Sequence, residues 1–283
     1  MTALRYSVLG AALMIASCGK SAPPQASAPA SAPAAPPPGF ALQDPPRPGE
    51  WLHHFEEAGQ TLDQYVAGCR NRLTLERPVF TIQPLGDAGE KYGPTLSLMR
   101  EYAEAFFGVQ ARVANPIPMF ENGYVPQRRQ HNSTMIIGQL AERVPKDALV
   151  YIGITGEDLF AKGLNFVFGE GSLVNRCGVY SLHRYETEDP VLFKRRALKL
   201  MSHEVGHILS IEHCIHYKCV MQGANSLAED DRHPMHLCPV DLEKLRWNTG
   251  FDPRERYGRL ETFYRRHGLA AEAAWVADRL RGP

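Results

Sequence analysis

No charge of either sign dominates this chain. Its 31 Lys and Arg residues stand against 31 Asp and Glu, a formal net charge of zero. There is no basic stripe either, so nothing in the sequence points to nucleic acid as a partner. Past the first seventeen residues, no stretch is long and apolar enough to cross a bilayer. No internal repeat recurs, which sets aside solenoids and arrays. Cysteine is sparse, six in 283 residues, so its use depends on where those six lie.

Residues 1–17 carry one early arginine, Arg5, and then an apolar run over residues 8–16. That pattern is a secretory signal, too short for a stable membrane span. It ends Ile15-Ala16-Ser17-Cys18, which resembles the lipobox of bacterial lipoproteins. The resemblance implies cleavage before Cys18 and lipidation of its thiol. The alternative is an ordinary secretory signal with a chance cysteine. Gly19, where an aspartate would retain such a lipoprotein at the inner membrane, implies the outer membrane. The expected location is therefore a bacterial cell envelope, lipid-anchored on the periplasmic side, or else the periplasm itself. Residues 18–48 are mostly Ala, Pro and Ser. They offer almost nothing to bury and read as an extended tether. Residues 49–283 are left to fold, as one domain or a domain with a small appended lobe.

The chemistry sits in His203-Glu204-Val205-Gly206-His207, followed by His213. On a helix, His203 and His207 lie one turn apart on the same face, so both reach one metal ion. Glu204 stands beside them, placed to take a proton from water. His213, six residues past His207, becomes a third ligand if the helix ends near Ser210 and the chain turns back. Three imidazole ligands leave one tetrahedral position of zinc open, which separates a catalytic site from a structural one. His213 occupies the third-ligand position of the metzincin signature, and Met221 follows where those enzymes run a methionine turn beneath the metal. Met221 reads as a packing floor rather than a ligand. His216, His233 and His236 match no better ligand pattern and read as surface or rim residues.

The flanking residues narrow the reading. After His213 come Cys214, Cys219, Met221 and, further on, Cys238. This segment resembles the archaemetzincin family of zinc metallopeptidases. Likeness extends upstream to Gly49–Thr61, to Gln83-Pro84-Leu85-Gly86, and to segments 153–160 and 165–173, so it covers about residues 49–250. The resemblance implies peptide-bond hydrolysis of a peptide or protein substrate by zinc-activated water, with Glu204 as general base. It implies an α/β (α+β) fold of metzincin-like type, a mixed twisted sheet with packed helices and the zinc site in a cleft. It also implies a second, structural zinc held by four thiolates.

Two residues depart from the family pattern. Ser210 replaces a glycine that ends the helix in a left-handed conformation, at a cost of about 1 kcal/mol. Asp241 replaces the last cysteine, so the second zinc would be held by Cys214, Cys219, Cys238 and Asp241. Aspartate is an acceptable zinc ligand and keeps the total ligand charge unchanged. An empty second site is the alternative, and a Cys214–Cys219 disulfide is a rival use of two of its thiols. With Cys18 assigned to lipid, Cys69 and Cys177 remain as a candidate disulfide in an oxidising compartment. Two unrelated thiols is the other reading. Ser210 and Asp241 are also the features that favour a different function class, a catalytically inactive zinc-binding envelope lipoprotein. Retention of Glu204 weighs against it, because a purely structural zinc needs no base.

Hydrophobic patterning predicts strands at 79–85, 109–113, 148–155, 165–168 and 178–184. It predicts helices at 94–107, 133–142, 190–209, 240–247, 253–266 and 270–280, with a turn-rich segment at 115–127. The helix over 190–209 delivers His203, Glu204 and His207. The segment around 166–172 is a candidate edge strand for pairing with extended substrate backbone, or else an ordinary core strand.

Overall fold

The protein is described by a computed structural model over residues 35–282. The expected signal at 1–17, Cys18 and residues 18–34 of the expected tether lie outside the described residues. Two short helices come first, α1 (Trp51–His54) and α2 (Leu62–Gly68). Then follow β1 (Val79–Pro84), α3 (Ala88–Lys91), α4 (Gly93–Phe107) and β2 (Gln110–Val113). Two minimal strands, β3 (Tyr124–Val125) and β4 (Gln130–Asn132), precede α5 (Ser133–Ala141) and β5 (Ala148–Thr155). Next are β6 (Leu159–Phe160), β7 (Gly169–Ser172) and β8 (Cys177–Ser181). The rest is helical: α6 (Pro190–Ile208), α7 (Leu227–Arg232), α8 (Pro239–Thr249), α9 (Pro253–Arg266) and α10 (Ala270–Arg281).

The main sheet runs β2-β1-β5-β8-β7, with β7 the one antiparallel strand, at the edge. A small second sheet runs β3-β4-β6. Every residue of β5 is buried, because both faces of the parallel sheet are covered. Val150, Ile152 and Ile154 share one core with Phe80 and Ile82 of β1, with Met99 of α4 and with Leu198 of α6. Tyr151, Cys177 and Val179 face the other way, onto Ile136, Ile137 and Leu140 of α5. The result is the mixed sheet with packed helices expected above. Among the described residues no helix is long and apolar enough to cross a membrane.

Two differences from the sequence reading have plain physical causes. The expected strand at 165–168 lies four residues early: the paired strand is Gly169–Ser172. Phe168 joins at its edge, its carbonyl accepting from Ser181 N–H at 2.7 Å, and the register with β8 begins at Gly169. A Cβ on Gly169 would come within 2.2 Å of the Tyr180 ring, so only glycine lets that ring lie against the strand. The expected Cys69–Cys177 disulfide is not formed, and both thiols are free. Cys177 is buried beneath α5, with its sulfur 3.8 Å from the Ile137 carbonyl. Cys69 instead follows α2 and lies near the Leu209 carbonyl and Asn248. At the amino-terminal end, Leu42 pairs with Tyr217. Phe40 packs edge-on against Trp275.

Candidate metal centre

α6 is built to end at the site. Its first turn is capped by Asp189, whose carboxylate accepts from the Val191 and Leu192 amides, and Pro190 opens it. Its last turn closes in a Schellman arrangement. Ile211 N–H donates to Gly206 O and Ser210 N–H to His207 O, both at 2.9 Å. Ser210 takes φ +74°, the left-handed conformation the turn requires. The serine has a compensation glycine would lack: its Oγ accepts from Arg70 N–H at 3.2 Å. Its carbonyl, as a glycine's would, accepts from Gln60 Nε2 at 3.1 Å. The departure from glycine is thus absorbed, and the chain swings back to bring His213 to the helix.

His203, His207 and His213 converge, with one potential ligand atom of each within 4.8 Å of the others. His203 and His207 face each other through Nε2 at 3.0 Å. Each ring's Nδ1 is engaged elsewhere: His203 on Val220 O at 2.8 Å, His207 on Ile211 O at 2.7 Å, His213 on Glu57 Oε1 at 2.7 Å. Those bonds fix the tautomer with the lone pair on Nε2, the arrangement that metal-ligating imidazoles use. Burial, then His207 and His213, pushes His203 well below the usual histidine range. Burial, then His213, takes His207 down to about 3. Both rings are therefore neutral and ready to bind. Among the described residues, the buried Nε2 of His213 and both carboxylate oxygens of Glu204 have no hydrogen-bond partner. Buried polar atoms of this kind are costly unless something binds them, so the donor set fits a zinc ion.

Glu204 is fully enclosed. Burial, with Glu170 adding to it, pushes its carboxyl up to about 8. Glu170 on β7 is itself held by Ser133 Oγ at 2.5 Å and Thr134 Oγ1 at 3.0 Å. Met221 lies buried under the helix as the expected floor. A Cβ on Gly206 would meet its sulfur at 2.5 Å, so the glycine within the motif is what lets the methionine turn close against α6.

The sequence reading missed Glu57 and its neighbours. Glu57 Oε1 accepts from both His213 Nδ1 and Trp51 Nε1, the latter at 2.9 Å. Trp51 packs edge-on against His213 at 5.2 Å. Gln60 straps the same turn, accepting from Glu212 N–H at 3.3 Å. A glutamate in a polar segment 150 residues upstream has no spacing signal that could have revealed it. Glu57→Gln is expected to weaken zinc binding about 10–100-fold, the usual cost of losing an outer carboxylate behind a ligating histidine. Competition against a chromogenic chelator measures it, and unchanged affinity would remove Glu57 from the site.

A second cluster joins Cys214, Cys219, Cys238 and Asp241, again within 4.8 Å of one another. All three thiols are free, so no Cys214–Cys219 disulfide forms. Backbone N–H groups aim at the sulfurs: Cys238 N–H donates to Cys219 Sγ at 3.1 Å and Asp241 N–H to Cys238 Sγ at 3.3 Å. Such bonds favour thiolate, which is what a metal needs. Burial raises Cys219 and Cys238 well above the usual thiol range, so a bound cation is the natural means of ionising them. Asp241 turns Oδ2 to Cys219 and Cys238, each at 3.3 Å, and Oδ1 to Lys244 Nζ at 2.8 Å. Lys244, also missed in the sequence, is as buried as Asp241, each side chain 2% exposed. Of the other histidines near the motif, His216, His233 and His236, none joins either cluster. His236 is half-buried and stacks on Trp275 at 3.9 Å.

The model of Peptidase family M54 matches residues 129–247. The chain is 30% identical to archaemetzincin-2 of Rattus norvegicus, over 74% of its own length and 70% of that protein. It is 40% identical to the archaemetzincin of Archaeoglobus fulgidus over 124 residues, covering 44% of this chain and 74% of that one. The crystal structure of an Archaeoglobus fulgidus archaemetzincin with malonate superimposes with a TM-score of 0.52 at 34% identity, over 59% of this chain and 99% of that one. With the helix-borne histidine pair, the returning third histidine and the methionine floor, these likenesses establish that the chain belongs to the archaemetzincin family and is a zinc metallopeptidase.

Proposed function

We propose that His203, His207 and His213 hold the catalytic zinc and that Glu204 is the general base for hydrolysis of a peptide or protein substrate. The observation that carries this is the convergence of three Nε2 atoms beside a buried carboxyl with neither oxygen hydrogen-bonded. When bound, zinc acidifies water and polarises the scissile carbonyl. Glu204 takes the proton from the attacking water and delivers it to the departing amine. A carboxyl with a raised proton affinity suits both halves of that transfer. β7, at the open edge of the sheet, offers backbone N–H and C=O groups along which an extended substrate can lie. Digestion of a peptide library tests the reading. Cleavage is expected to stop on chelation and return with zinc, and cleavage indifferent to chelation would sink it.

The reading includes a second zinc on Cys214, Cys219, Cys238 and Asp241, tying the segment after His213 to the start of α8. Two zinc ions per chain follow. Ser210 in the needed turn and Asp241 facing the thiols support this reading over a catalytically inactive zinc-binding envelope lipoprotein.

We also propose that the enzyme lies in the bacterial envelope, anchored through a lipid on Cys18 and otherwise outside the membrane; the signal-like run and the lipobox-like residues before Cys18 support this. Cys18→Ser is expected to release the protein from the membrane fraction or to block processing. Unchanged fractionation of a normally processed chain would refute the anchor.

A further inference from the structure

Arg256 on α9 is 2% exposed, and among the described residues no acid pairs with it. The two other buried cations each have one: Lys199 pairs with Asp230 at 3.2 Å and Lys244 with Asp241 at 2.8 Å. Arg256 instead donates from Nε to the Phe106 carbonyl at 2.6 Å, and its Nη2 has no partner. Its guanidinium lies over Phe106 at 4.4 Å. The side chains that act on its charge are Tyr257, Tyr264, Tyr102 and the like-charged Arg259, none of them a carboxylate. A buried charge left without a counter-charge is destabilising until something pairs with it.

Arg256 also lines a cavity of about 180 Å³, shared with Phe106, Tyr257, Leu260, His236 and Trp275. The stacked rings of His236 and Trp275, 5° from parallel, make one wall flat. A second guanidinium on the wall, Arg195, is neutralised by Glu272 at 2.7 Å. The lining shares no residue with either metal cluster. Arg256, Leu260 and Trp275 lie beyond residue 247, where the match to the peptidase family model ends. For scale, an apolar protein cavity of about 150 Å³ takes up benzene. A benzene-sized apolar space with one unpaired cation in its wall complements a flat monoanion.

We propose that this cavity is a binding site for a small aromatic monocarboxylate. The carboxylate sits on Arg256 and the ring lies along the His236–Trp275 face. Charge pairing and ring burial act together, so removing either group from the ligand weakens it.

Calorimetric titration of the zinc-loaded protein with benzoate, benzyl alcohol and acetate tests this. Benzoate is expected to bind one per chain, at least tenfold tighter than the uncharged alcohol or the ringless acetate. Leu260→Phe, which fills the cavity and keeps Arg256, is expected to lose at least tenfold in benzoate affinity, as is Arg256→Gln. If Arg256→Gln does not fold, Leu260→Phe and the three-ligand comparison decide. Benzoate no tighter than benzyl alcohol overturns the proposal. So does benzoate binding that survives Leu260→Phe and competes with substrate, since that places the carboxylate on the catalytic metal.

Discussion

Replacing Glu204 with alanine is expected to cut peptide hydrolysis by about 10²–10⁴-fold, the usual contribution of a positioned acid–base group, while the catalytic zinc stays bound. The expectation separates two roles that one helix turn brings together. His203 and His207 present Nε2 to a common point, while Glu204, next in sequence to His203, offers a carboxyl with no hydrogen bond of its own. Losing a ligand and losing a base therefore give different results. His203→Ala should lose zinc and activity together. Glu204→Ala should lose activity alone, and it removes a buried titratable group without opening the metal site. Metal content by mass spectrometry beside hydrolysis rates reads the difference. A variant lacking Glu204 that still cleaves at the wild-type rate would dismiss it as the base.

The part of this site that was legible in the sequence is the part carried by periodicity. The i,i+4 step from His203 to His207 fixes a shared helix face whatever surrounds it, and the returning His213 needs only a helix stop before it. The stop itself was harder to read. Ser210 breaks the glycine rule, and its Oγ bond to Arg70 N–H depends on a segment 140 residues away. Glu57 was invisible for the same reason: its meaning lies in His213, brought close by the fold. Lys244 is a local partner, one helix turn past Asp241 on α8, and what the sequence hid was the burial of both.

The same contrast holds for the framework. β5 was read with its true bounds because eight consecutive buried residues leave an unbroken apolar and β-branched run. The two- and three-residue strands β3, β4 and β6 are shorter than any period that could announce them. At β7 the aromatic side chains of Phe166 and Phe168 precede the paired residues Gly169–Ser172, so propensity pointed four residues early. Cysteine counting paired Cys69 with Cys177 because counting carries no positions. The fold gives each thiol its own surroundings.

The largest effect on stability is expected at Asp241. Its two oxygens serve different partners: Oδ2 faces the sulfurs of Cys219 and Cys238, and Oδ1 holds Lys244. Asp241→Ala therefore takes a ligand from the proposed second zinc and strands a buried ammonium group. Breaking a buried pair from one side costs about 3–5 kcal/mol before any loss of metal binding. For a domain of this size each kcal/mol moves the melting point by about 2–4 °C, so a fall of about 10 °C or more is expected, with zinc released more readily. Restoring the family's cysteine does not by itself repair the site. Asp241→Cys supplies a fourth thiolate but no second oxygen for Lys244. The double change Asp241→Cys with Lys244→Met is expected to hold zinc more tightly and melt higher than Asp241→Cys alone. Calorimetric melting with metal analysis of the four proteins checks it. One zinc per chain in the wild type would empty the second site. A double variant no more stable than Asp241→Cys would show that Lys244 is not tied to the aspartate's second oxygen.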